Sequence, residues 1–164
     1  MMDFAIRKDA SDWFKYIRSN FSAPPGMVPA RDFDAFYFCF VAGIKTMRKN
    51  EVGGSDTRAL VDNFPGPYKN RGRLLVSLFL SRELEYLGVV MSEKKAVNAA
   101  ITKLVDPDAQ NFLSDDGVRE FNKYAHGGYD VLHMEWFNGS PYSLETFLRT
   151  FRRKVESADP GLAA

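Results

Sequence analysis

One cysteine, Cys39, and two histidines, His126 and His133, are the only thiol and imidazole side chains in this sequence of 164 residues. A single thiol cannot close a disulfide within the chain or build a cysteine zinc site, so neither staple is open to it. Cys39 lies inside an apolar stretch and reads as an inert buried thiol. The histidines belong to neither an HExxH motif nor a pair of Glu-x-x-His motifs, so no metal and no cofactor is expected. An excess of one charge is missing too. Lys and Arg total 22 against 21 for Asp and Glu, which leaves no global field to hold a polyanion, and any contact with nucleic acid must be local. Long apolar runs are also absent. The most apolar stretch, DFDAFYFCFVAGIKTM from Asp32 to Met47, covers sixteen residues and is interrupted by Asp34 and Lys45, too short to span a bilayer. The opening MMDFAIRKDASDW has no apolar run of signal-peptide length, so a cytoplasmic protein with no membrane partner is expected. No segment repeats at a fixed period or is of low complexity.

Aromatic residues are plentiful: 14 Phe, 7 Tyr and 2 Trp. A chain of this length can bury a proper core, and one helical domain over residues 1–157 with a frayed tail at 158–164 is expected. In the apolar stretch Phe33, Phe36, Tyr37, Phe40, Val41, Ile44 and Met47 recur at steps of three and four, while Phe38 and Cys39 widen the face, so this is the central core helix. Before it, Ser11 caps a short helix carrying Trp13, Phe14 and Ile17, and SAPPGMVPA at 22–30 breaks the chain.

After it come a polar loop with Gly53 and Gly54 and a helical turn over Arg58 to Asn63. A second core helix starts near Pro67, places Leu74, Leu75, Leu78, Phe79, Arg82 and Tyr86 inward and stops at Gly88. Ser92 caps a helix to Val105. Ser114, followed by Asp115 and Asp116, opens a helix that ends at Gly127 and Gly128. NGSP at 138–141 is a turn, and Ser143 caps a last helix with Leu144, Phe147, Leu148, Phe151 and Val155 inward. Only Val89 to Met91 tempts a strand assignment, and it is too short to need a partner. The pattern therefore predicts an all-α bundle of six or seven helices around a central aromatic helix.

YAHGGYDVL, residues 124–132, is the most distinctive string. At its predicted helix end His126 can donate to terminal carbonyls, with Gly127 and Gly128 forming a structural turn. The competing reading makes His126 a base or ligand, with Asp130 and His133 nearby. Basic clusters occur at Lys45, Arg48 and Lys49, at Lys69, Arg71 and Arg73, and at Arg149, Arg152, Arg153 and Lys154. They fill the gaps between apolar positions as any solvated helix face does, and two of them meeting in space would make a phosphate-contacting patch. With so many aromatics, some are expected outside as partner anchors: Tyr68, and Trp136, Phe137 and Tyr142 around the NGSP turn.

The segment carrying Tyr124, Ala125, Gly127, Gly128, Tyr129 and Leu132 resembles a Tyr-Ala-x-Gly-Gly-aromatic-x-x-Leu string in small accessory proteins of bacterial DNA-phosphorothioation and related phage-defence systems. The resemblance covers about nine residues closely and the rest in outline. It implies a cytoplasmic subunit of a defence complex whose partners are larger defence proteins, with DNA reached through the complex; it assigns no residue a chemical role. The leading expectation is a non-enzymatic adaptor. A direct nucleic-acid binder using Lys69, Arg71, Arg73, Arg149, Arg152 and Arg153 is the second, and an enzyme the third, because no nucleophile, base and stabiliser occur in company. Homo-oligomerisation is left open.

Overall fold

The computed structural model describes residues 1–18 and 28–158. Among them the chain forms β1 (Phe4–Arg7), α1 (Lys8–Trp13), α2 (Val28–Thr46), β2 (Thr57–Val61), α3 (Gly72–Tyr86), α4 (Lys94–Leu104), α5 (Asp115–Val131) and α6 (Leu144–Ser157). Short 3-10 turns cover Gly54–Asp56 and Gly66–Arg71, and a π-helical turn covers Leu132–Trp136. Residues 19–27 and the tail 159–164 lie outside the described residues, and with them most of the SAPPGMVPA break and of the frayed end.

The protein is mostly helical, but the all-α expectation is corrected by β1 and β2, which pair antiparallel with Ala5 opposite Ala59 and Arg7 opposite Thr57. The segment Arg58 to Asn63, read as a helical turn, supplies most of β2. FAIR buries Phe4 and Ile6 on one side and leaves Ala5 and Arg7 half-exposed, the alternation of a strand in too short a window to register as one. Val89 to Met91 pairs with no strand among the described residues.

The central helix is where the sequence places it. Phe33, Phe36, Cys39, Phe40 and Ile44 of α2 are buried, with Tyr37, Phe38 and Val41 partly so. Its main partner is α5, and Phe40 stacks on Phe121 with ring centroids 3.8 Å apart. Burial presses the Cys39 thiol well above its ordinary range, as an inert sulfur in an apolar helix requires.

Three glycines set this crossing. A Cβ on Gly43 would lie 1.9 Å from the Tyr124 carbonyl oxygen, one on Gly128 1.6 Å from that of Cys39, and one on Gly127 2.5 Å from that of Arg48. Gly127 and Gly128 are therefore interior residues of α5, and the only glycines with positive φ among the described residues are Gly88 and Gly139. The expectation that Gly127 and Gly128 form a structural turn is corrected: the backbones of α2 and α5 meet where any side chain would hold them apart. α2 closes with Met47 in the left-handed region (φ 55) while the Arg48 N–H donates to the Gly43 carbonyl at 3.0 Å, the hydrogen-bond pattern of a Schellman turn. That turn carries Arg48 to Asn50 directly over Gly127.

The other helix ends follow local chemistry. Ser114 Oγ accepts from the Gly117 N–H at 3.0 Å and Ser143 Oγ from the Thr146 N–H at 3.3 Å, and Gly88 (φ 72) follows the end of α3. Ser11 lies inside α1 instead of capping it, and Glu93 instead of Ser92 occupies the cap of α4.

Candidate functional site

Helix α5 carries polar side chains through the core. Asn122, His126 and Asp130, spaced at i, i+4 and i+8, all face β1. Asn122 Oδ1 accepts from the Ala5 N–H at 3.1 Å and its Nδ2 donates to the Asp3 carbonyl at 3.1 Å. His126 Nε2 lies 3.1 Å from the Ala5 carbonyl. Asp130 accepts from Arg7 at 2.8 Å and from Asn50 Nδ2 at 2.9 Å. The row thus pairs backbone groups of Asp3 and Ala5 along the edge of β1 and ties that strand to α5. His126 is a buried mid-helix residue, and its predicted role as part of a structural turn at a helix end is corrected with that of the glycines. Its Nε2 must carry the proton to bond a carbonyl, Nδ1 is buried without a hydrogen-bond partner among the described residues, and burial holds its proton affinity below the ordinary value. Burial works against the Asp130 carboxylate, yet the hydrogen bonds from Asn50 and Arg7 hold it below the usual range.

On another side of α5 the loop after α2 inserts Lys49, whose Nζ donates to both oxygens of Glu83 at 2.9 Å and to Glu120 at 2.5 Å. Tyr124 donates its hydroxyl to Glu83 at 2.9 Å, and Lys123 donates to Glu120 at 3.0 Å. Burial opposes the charge on Glu120, but the hydrogen bonds from Lys49 and Lys123 hold its carboxyl below the usual range. This network borders a cavity of about 590 Å³ that Tyr86, Lys103 and Arg119 also line. Two ammonium groups meet two carboxylates, each bonded to the other sign, so the arrangement is balanced internally and functions as an ionic strut whose Lys49–Glu83 pair is buried and whose Glu120–Lys123 pair is half-exposed.

A different region presents aromatic surface outward. Tyr142, at 74% exposure, stacks on the exposed Tyr16 with centroids 4.5 Å apart. The two rings border a groove of about 330 Å³ floored by the buried Trp13 and Tyr129 and edged by Asp9, Asp12 and Lys15. From Trp13 the ring contacts continue inward: Phe137 meets it edge-on at 5.6 Å and stacks on Phe147 at 5.1 Å, and Trp136 meets Phe151 edge-on at 5.9 Å. Trp136 and Phe137 are half-buried, while Met134 in the π turn is exposed. Of the four predicted anchors, three thus belong to one aromatic region. Tyr68 does not: it is 7% exposed, and its hydroxyl donates to Asp34, so the expectation of an exposed anchor there is corrected. The Gly66–Arg71 turn folds its ring back between Phe33 and Tyr37.

No protein-family model, curated protein or solved structure matches this chain.

The basic residues sit on separate elements. Lys69 and Arg71 lie in the 3-10 turn, and Arg73 on α3 stacks over the Phe112 ring at 5.3 Å. On α6, Arg149 and Arg152 pair with Glu145 at 2.7 Å and Glu156 at 2.9 Å, whereas Arg153 is exposed. The residues missed in the sequence are Tyr16 and Trp13, whose part in the groove depends on the 138–142 turn folding against α1, and the Lys49–Glu83–Glu120 strut, whose members are far apart in sequence.

Proposed function

We propose that this chain is a non-enzymatic binding subunit, an adaptor that docks another protein through the aromatic groove bordered by Tyr16 and Tyr142. The observation that carries the reading is the Tyr142 ring, left in water on top of Tyr16 beside a groove with an aromatic floor. Tyrosine and tryptophan supply contact area at low entropic cost, and exposed rings beside a socket are typical interface anchors. Asp9 and Asp12 at the rim favour a partner segment with basic side chains. The resemblance of the Tyr124–Leu132 string supports a bacterial phage-defence complex acting on DNA as the assembly this adaptor serves.

The test is affinity capture from the native host at low and high salt, with and without nuclease, using wild type, Tyr142→Ala with Tyr16→Ala, and Arg152→Glu with Arg153→Glu. Capture that survives salt and nuclease but weakens by about 2 kcal/mol or more, roughly 30-fold, in the tyrosine variant is expected. Loss on nuclease treatment alone, or in the arginine variant alone, would instead establish direct nucleic-acid binding, whose affinity falls steeply with salt through counterion release.

A further inference from the structure

Helix α3 is apolar on two sides. Leu75, Val76, Phe79 and Leu84 face the core, yet Leu74 and Leu78 on the opposite side are 59% and 46% exposed. A helix apolar around most of its circumference is normally covered, and among the described residues nothing covers this face.

The residues along it run from Arg71, at the N-cap of α3, through Leu74, Leu78, Ser81 and Glu85, at steps of three, four, three and four. That is the spacing of a helix-pairing seam. Ser77 flanks the seam, and its hydroxyl already donates to the Arg73 carbonyl at 2.8 Å within the helix, so covering it strands no donor. Charge is distributed unevenly along the seam. Among the described residues Arg71 begins it with no carboxylate partner, and Glu85 ends it, its carboxylate meeting only Arg82 of its own helix at 2.9 Å.

We infer that this face binds a second copy of the chain in an antiparallel, two-fold helix pair. With the axis at Leu78, that leucine packs on its own copy and Leu74 lies beside Ser81 of the second copy. Arg71 then stands opposite Glu85 of the second copy at both ends. A parallel pair would set Arg71 on Arg71 and Glu85 on Glu85, so charge selects the antiparallel arrangement. A two-fold interface must be self-complementary, and an end-to-end inversion of charge about a leucine meets that requirement. One helix face is a small interface, so dissociation constants in the micromolar range, about 1 to 100 µM, are expected. The dimer stands on α3 alone; its corollary, two aromatic grooves available to one partner assembly, rests also on the proposed docking role.

Sedimentation of the purified full chain across roughly that concentration range tests the inference. The expected particle approaches twice 18.6 kDa, and Leu78→Glu stays monomeric with an unchanged circular dichroism spectrum. Arg71→Glu and Glu85→Arg each weaken self-association by about tenfold or more, and mixing the two variants restores it, because both ends then carry opposite charges. A wild type that remains at 18.6 kDa throughout, a dimer that persists in Leu78→Glu, or a mixture no tighter than either variant alone overturns the inference. None of these outcomes depends on whether the aromatic groove captures a protein.

Discussion

Lys49 carries an ammonium to a place that water barely reaches, and Glu83, still more deeply buried, holds it with both oxygens at 2.9 Å. Removing one partner of such a pair leaves the other as an uncompensated buried charge. Lys49→Met should therefore lower unfolding free energy by about 3–5 kcal/mol, read from the denaturant midpoint. Adding Glu83→Gln should recover a substantial part of that loss, a non-additivity that a merely exposed pair would not show. His126 sets a pH dependence of known sign. Its folded form is held neutral by burial, which outweighs the pull of the Ala5 carbonyl toward the protonated ring, whereas the unfolded imidazole takes up a proton near its ordinary value of 6.5. Below that pH the unfolded chain binds the extra proton, so stability falls as the medium is acidified and stops falling once the folded value is passed. His126→Gln keeps an N–H for Ala5 and should reduce the stability difference between about pH 7 and about pH 5.

At the scale of elements, the crossing of α2 on α5 depends on glycines for space. An interior glycine costs a helix about 1 kcal/mol against alanine, and a pair of them next to a predicted C-terminal histidine reads as a stop. The helix runs through instead because the crossing repays that cost with close contact of two backbones and the stacked rings of Phe40 and Phe121. Gly128→Ala, with a Cβ 1.6 Å from the Cys39 carbonyl oxygen, should cost at least about 4 kcal/mol. Gly54→Ala, where a Cβ would meet nothing within 4 Å among the described residues, should stay within about 0.5 kcal/mol. Equal denaturant midpoints for these two variants would refute the packing role. Caps and patterns were legible where one segment decides the outcome: Ser114 and Ser143 cap as read, and α2 buries the expected aromatics. The inward face of α3 was legible only in part: Leu75 and Phe79 are buried as expected, whereas Leu74, Leu78 and Tyr86 are exposed, because apolar residues on both sides leave periodicity without a preferred direction.

For the molecule as a whole, the first strand closes the core. The Phe4 ring sits 5.1 Å from that of Phe64 and 5.2 Å from that of Phe121, and Phe4→Ala should cost about 3–5 kcal/mol. Deletion of residues 1–7 should abolish a cooperative thermal transition, since it removes Phe4, Ile6 and the backbone that Asn122 and His126 satisfy; a sharp transition retained by the truncated chain would refute this. What the sequence by itself determined is the helical character, the central aromatic helix and the capped starts of α5 and α6, because propensity, periodicity and capping act over a few neighbouring residues. Only the tertiary structure decided the β1–β2 pairing, the Lys49 strut and the meeting of Tyr16 with Tyr142. Each joins residues separated by tens of positions or more, so no local pattern encodes it; the strand pair and the strut are favoured only once burial removes their alternative partner, water, and the two tyrosines meet only because the folded chain brings α1 and the 138–142 turn together.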